Sequence, residues 1–162
     1  MNTAIATEAM IRFLGTNRRD INHFMMVYGF AKAIGEMEKL DERTQQILEI
    51  TAIIHDIPCP LCREKYGSTN GKMQEKEGPA LTREFLKPLG FDEELIERAA
   101  WLVGHHHTYT DVDGLDHQIL LEADFLVNAH EQKLPQTAVE NMEQTVFKTA
   151  AGKQFLKNMY LG

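Results

Sequence analysis

Apolar positions recur at helical spacing along most of the chain, and no stretch alternates convincingly as a half-buried strand would. Residues 3–14 form a first short amphipathic stretch. Asn17 to Asp20 reads as a helix start. From Ile21 one stripe runs Phe24, Met25, Tyr28 and Ala31, and a second runs Met26, Val27, Phe30, Ile34 and Met37. A helix apolar on two faces is predicted to be central and buried. Asp41 suits an N-cap for a helix carrying Ile47, Leu48, Ile50, Ile53 and Ile54, which Pro58 and Pro60 should end near Ile57. Residues 58–78 read as a long loop of the kind that is often functional. Pro79 fits the first position of a helix over about 79–87, stopped by Pro88 and Gly90. Asp92 caps the next helix, with Phe91 and Ile96 placed as a hydrophobic staple; it runs to His105-His106-His107. Asp113-Gly114 leads into a helix over about 115–132 with a long apolar centre, and Pro135 precedes one or two more. The pattern predicts an all-α fold. It is a compact helical bundle of about six to seven helices in one domain over 1–162, its core at about 18–132 and its C-terminal helices, 136–160, packed on it.

Composition narrows the setting. Hydrophobic residues at 43% and charged residues at 25% are globular values. No apolar run approaches the ~18–20 residues of a membrane span. The first residues lack the basic-then-apolar layout of a secretory signal. With 17 basic against 24 acidic residues the net charge is −7, which disfavours general binding to duplex nucleic acid. The two cysteines, Cys59 and Cys62, form one Cys-Pro-Leu-Cys; without a second pair this is a weak zinc or redox signal, and two free thiols near a turn is the simpler reading. A reducing cytoplasm is the expected compartment. Oligomeric state has no signature here.

The chemistry gathers on a few positions. His23 lies on the inner stripe of the first long helix, His55-Asp56 ends an Ile-rich helix, and Asp124 lies within Ile119-Leu120-Leu121-Glu122-Ala123-Asp124-Phe125-Leu126-Val127. One of Glu122 and Asp124 could face solvent, but both cannot do so equally on so apolar a helix. A buried carboxylate needs a base or a metal beside it. A lone histidine on an apolar face is more often a satisfied core residue. Imidazoles and carboxylates from three buried helices, however, form a donor set suited to Fe, Mn, Co, Ni or Zn.

The ordered set resembles the HD-domain superfamily of metal-dependent phosphohydrolases, whose pattern is a His, a His-Asp pair ending the next helix, and an Asp on a later helix. The segments "NHFMMVYGFAKAIG", "ILEITAIIHDI" and "ILLEADFLVNAHE" carry it, over roughly residues 18–132. The resemblance implies a divalent transition metal held by His23, His55, Asp56 and Asp124, and hydrolysis of a small phosphorylated molecule, which a nucleotide would satisfy, by attack of a metal-bound water. Asp56 would be the catalytic carboxylate and the bridge to a second metal. Two-metal members draw further ligands from the start of the third helix and the end of the fourth. His106, then His105, would fill the fourth-helix position. The third departs from the pattern: no His occurs from Gln74 to Pro79, and Glu77, just before the predicted helix, could ligate or act as a general base.

Arg19, one turn before His23, could reach a substrate phosphate, and Lys65 and Lys72 could do likewise from the predicted loop. His117 and Asn128 flank Asp124 at helical spacings and could orient it. His130 reads as surface and Trp101 as core. Two other functions fit the same cage: an HD-fold di-iron oxygenase and a non-catalytic metal- or nucleotide-binding module.

Overall fold

Helix boundaries follow the capping chemistry. The computed structural model describes residues 2–162, and among these every regular element is helical: α1 (Thr3–Leu14), α2 (Arg18–Met37), α3 (Glu42–Ile54), α4 (Pro58–Tyr66), α5 (Gly71–Leu86), a 3-10 turn (Lys87–Leu89), α6 (Glu93–Val103), α7 (Gly114–Glu131), α8 (Gln136–Thr145) and α9 (Ala150–Tyr160). Asn17, Asp41 and Asp92 each accept the backbone N–H three residues on, at 3.2, 2.9 and 3.0 Å, and so satisfy an orphan donor of α2, α3 and α6. No helix of the described residues is long and apolar enough to cross a membrane.

The fold holds more helices than the pattern predicts, because residues 58–78 are not a loop. Pro58 opens α4, Gly67 (φ +67°) ends it, and Asn70 caps α5 by accepting from Lys72 N at 2.9 Å. Pro58 and Pro60 stop α3, yet they also suit a first turn, where an N–H has no helical partner to lose. Pro79, expected at a helix start, lies inside α5 instead. Its place reflects packing. A Cβ on Gly78 would stand 2.6 Å from Val103 Cγ1 and 3.3 Å from Pro58 Cγ, and one on Gly104 would stand 2.9 Å from Pro79 Cγ. The small Gly78-Pro79 step therefore lets α5 meet the end of α6 and the start of α4 at close range.

The central position falls to α3 and α7 rather than α2. Every residue of α7 from Asp116 to Val127 is buried, as is every residue of α3 from Ile47 to Ile54. Each such Ile or Leu contributes about 1.5–3 kcal/mol by leaving water. On α2 only one stripe, Phe24, Val27, Ala31 and Ile34, is buried; Met26 and Met37 stay 42% and 51% exposed. The long α2 packs on both α3 and α7, and α9 closes over α7. Val139, Phe147, Ala151 and Leu156 from the C-terminal segment join the same core cluster.

Neither Glu122 nor Asp124 faces solvent. Glu122 is buried for a structural reason. It accepts from Gln118 Nε2 and Thr149 Oγ1, both at 2.6 Å, and from Thr149 N at 3.3 Å, tying α7 to the cap of α9. Burial pushes its carboxyl up, against those bonds. Gly152 permits the approach, since a Cβ there would lie 1.9 Å from Glu122 Oε1.

Candidate metal centre

Three helices bring four donors to one point. His23 comes from the second turn of α2, His55-Asp56 from the end of α3, and Asp124 from the middle of α7. One ligand atom from each lies within 4.8 Å of all the others. His23 Nε2 is 3.1 Å from Asp56 Oδ2, 3.3 Å from Asp124 Oδ1 and 3.2 Å from His55 Nε2. His55 Nε2 is 3.2 Å from Asp124 Oδ1.

The outward-facing nitrogens fix the tautomers. His55 Nδ1 lies 2.8 Å from the Ala52 carbonyl and His106 Nδ1 lies 2.7 Å from the Val103 carbonyl. A carbonyl only accepts, so each Nδ1 carries a hydrogen, and each Nε2 is the nitrogen that would offer its lone pair inward when the ring is neutral. His23 Nδ1 donates to the Glu131 carboxylate. The Nε2 atoms face carboxylate oxygens at 3.0–3.5 Å, a spacing that calls for positive charge between them, supplied by a proton on the ring or by a bound cation. The donor set fits a divalent metal of borderline softness, with each histidine held by an acceptor behind it.

The electrostatics favour positive charge here. Burial works against charge on His23, but hydrogen bonds and charge from Asp124 and Asp56 overcome it and push the imidazole up to about 11. Despite its own burial, Asp56 is held well below the usual carboxylate range, chiefly by His55 and His106. Asp124 is also held low, against burial, by His23 and His55. The site is built for positive charge between two carboxylates.

Asp56 belongs to a second group as well, with His106 and His107. The last turn after α6 carries this pair. His106 is buried and places Nε2 3.0 Å from Asp56 Oδ1. His107 Nε2 donates to Gln74 Oε1 at 3.1 Å, while Gln74 Nε2 donates to the Thr69 carbonyl at 2.6 Å. That second bond sets the amide's orientation and leaves Nδ1 of His107 with its lone pair. Burial and the neighbouring His106 push His107 down to about 4.

His105 turns the other way. It stacks on Trp101 with ring centroids 3.9 Å apart and donates to the Trp101 carbonyl at 2.7 Å. Glu77 is likewise outside the cluster. It rides on the flank of α5 that faces α4, where it meets Lys65 at 2.7 Å and Tyr66 Oη at 2.5 Å. Because α5 begins at Gly71, Glu77 is not the residue before a helix, and Gln74, one turn earlier, is the α5 side chain that reaches His107. His117 does not touch Asp124; it accepts from Asp113 N at 3.1 Å and donates to the His105 carbonyl at 2.9 Å, pinning the turn that follows the triplet.

A cavity of about 340 Å³ opens over the cluster. Arg19 and Asn128 line it, with Gln74, Glu131 and Arg63. Lys65, spent on Glu77, and Lys72 do not. His130 is exposed. Cys59 lines the cavity wall and Cys62 is buried; both are free thiols, and burial pushes both up. Of the residues that sequence reasoning missed, Glu131 carried a signal, lying seven positions after Asp124 on one helix face. Arg63 and Gln74 carry none, because the prolines and glycines of residues 58–78 read as a loop.

An all-helical bundle with a histidine–carboxylate cluster at its centre defines a candidate metalloprotein. Residues 20–142 match the model of the HD domain, a span that includes every member of both groups. The chain belongs to the HD domain family. Its fold is similar to the crystal structure of a predicted HD superfamily hydrolase from an uncultured Thermotogales bacterium, with a TM-score of 0.66 and 24% identity over 98% of this chain and 83% of that one. No curated protein matches the chain.

Proposed function

We propose that the protein is a metal-dependent phosphohydrolase acting on a small phosphorylated substrate. The observation that carries this reading is the convergence of His23, His55, Asp56 and Asp124 beneath an open polar cavity that His23 and Asp56 line. These four would hold one divalent metal, and Asp56, His106 and His107 a second. Such an ion, when bound, supplies a water activated at neutral pH and polarises a phosphoryl oxygen. The chain's own groups do the rest. Asp56, kept ionised, accepts a hydrogen bond from the attacking water and orients it. Glu131 keeps His23 turned inward. Arg19, a long cation at the cavity wall, draws the anionic substrate in. The lining offers amides, carboxylates and guanidinium groups, and no aromatic ring besides imidazole. That supports a hydroxyl-rich leaving group, such as a sugar or the ribose end of a nucleotide, over one gripped by stacking.

The test is phosphate release from a panel of phosphomonoesters by protein reconstituted with Mn, Fe, Co, Ni or Zn. Metal-stimulated release that Asp56→Ala abolishes supports the reading; equal release by the variant sinks it. The place of Asp56 in both groups also favours a second reading, two irons used for oxygen activation. A mixed-valence di-iron EPR signal in anaerobically prepared protein would support that one, and a colourless protein active with Mn would count against it.

A further inference from the structure

The cavity wall holds an ion pair that the ligand groups do not account for. Arg63 of α4 directs Nη1 and Nη2 at the two oxygens of Asp20, at 2.8 and 3.1 Å. Asp20 is buried in the first turn of α2, one turn before His23, and Asn17 Nδ2 donates to it at 2.8 Å. Arg63 and Asp20 line the same cavity as His23 and Asp56.

Two bonds to one carboxylate fix the plane of the guanidinium and use two of its five N–H donors. The others remain for a ligand, and the Arg63 side chain is 47% exposed. An ion pair this open adds little to stability. What it does achieve is orientation: a permanently charged, planar donor is held beside the reacting cluster before any ligand arrives, which lowers the ordering cost of binding. Lys65, two residues on, has no such role open to it, since Glu77 holds it outside the cavity.

We infer that Arg63, positioned by Asp20, binds the phosphoryl oxygens of the substrate. Asp20 acts through Arg63 and is a positioning residue. The inference rests on the phosphohydrolase reading for its substrate, but its own chemistry is the capture of a tetrahedral oxyanion.

The experiment measures binding of inorganic phosphate to Mn-loaded full-length protein by calorimetry, beside KM and kcat on whichever phosphomonoester is turned over. Metal content and thermal melts establish that each variant is folded and loaded. Arg63→Ala should weaken phosphate binding by about tenfold or more and raise KM more than it lowers kcat. Arg63→Lys should restore only part, because a point charge lacks the fork. Asp20→Asn should fall between wild type and Arg63→Ala. Should Arg63→Ala melt early, Arg63→Gln keeps the length of the side chain and serves instead. If wild type binds phosphate through Arg63 yet hydrolyses nothing, the anion site stands and the reaction reading fails. If wild type binds no phosphate, or binds it as well without Arg63, the anion site is overturned whatever the activity.

Discussion

Asp56 Oδ1 stands 3.0 Å from His106 Nε2, while its Oδ2 stands 3.1 Å from His23 Nε2. One carboxylate thus joins the α2–α3–α7 cluster to the turn after α6. The consequence is a stoichiometry. Elemental analysis of reconstituted protein should give two metal equivalents in wild type, one in His106→Ala and none in Asp56→Ala. His105→Ala should match wild type, because that ring stacks on Trp101. Equal loss in the His105 and His106 variants would contradict the geometry.

Glu131 touches no donor of the cluster except through His23. Its carboxylate accepts from His23 Nδ1 and so keeps Nε2 turned toward the other three donors. Glu131→Gln should weaken metal binding by about 10–100-fold without abolishing it. Chelator competition measures this directly, and an unchanged affinity would remove Glu131 from the site.

The Gly78 step couples packing to the centre. Gly78→Ala drives a methyl toward Val103 Cγ1, three residues before His106. Overpacking of this kind costs about 1–3 kcal/mol. Urea unfolding should show that loss, with metal occupancy at the His106 group falling alongside it. Val103→Ala added to Gly78→Ala should recover part of both, since it removes the atom that clashes.

Away from the centre, Asp92 sets an acid dependence. Its carboxylate is held below the usual range by the Arg43 guanidinium and the Leu95 N–H. A depressed folded pKa gives stability that is present above the unfolded value of 3.8 and lost as pH falls through the folded one. Asp92→Ala should therefore melt a few degrees lower than wild type at pH 7, with the gap closing below pH 4. Asp92→Asn, which still caps α6, should lie between them. A gap that is constant with pH would show that the charge plays no part.

The caps at Asn17, Asp41 and Asp92 were readable because capping is local: a side chain and an N–H three residues on lie within one short segment of sequence. His23, His55-Asp56 and Asp124 were readable because a polar group among apolar neighbours at helical spacing must find a partner when those neighbours are buried. Local signals also misled. The prolines at 58 and 60 mark a stop and a start equally well, so α4 and the first turns of α5 were hidden.

The sequence by itself determined that the chain is helical, where α2, α3, α6 and α7 begin, and that His23, His55-Asp56 and Asp124 stand among apolar neighbours at helical spacing. Only the tertiary structure decided which of three successive histidines meets Asp56, that Gln74 rather than Glu77 reaches His107, and that Glu131 and Arg63 stand at the same cavity. The reason is physical. Adjacent helical residues point about 100° apart, and which direction is inward depends on how neighbouring helices pack, as at Gly78 and Val103. No short-range rule carries that information.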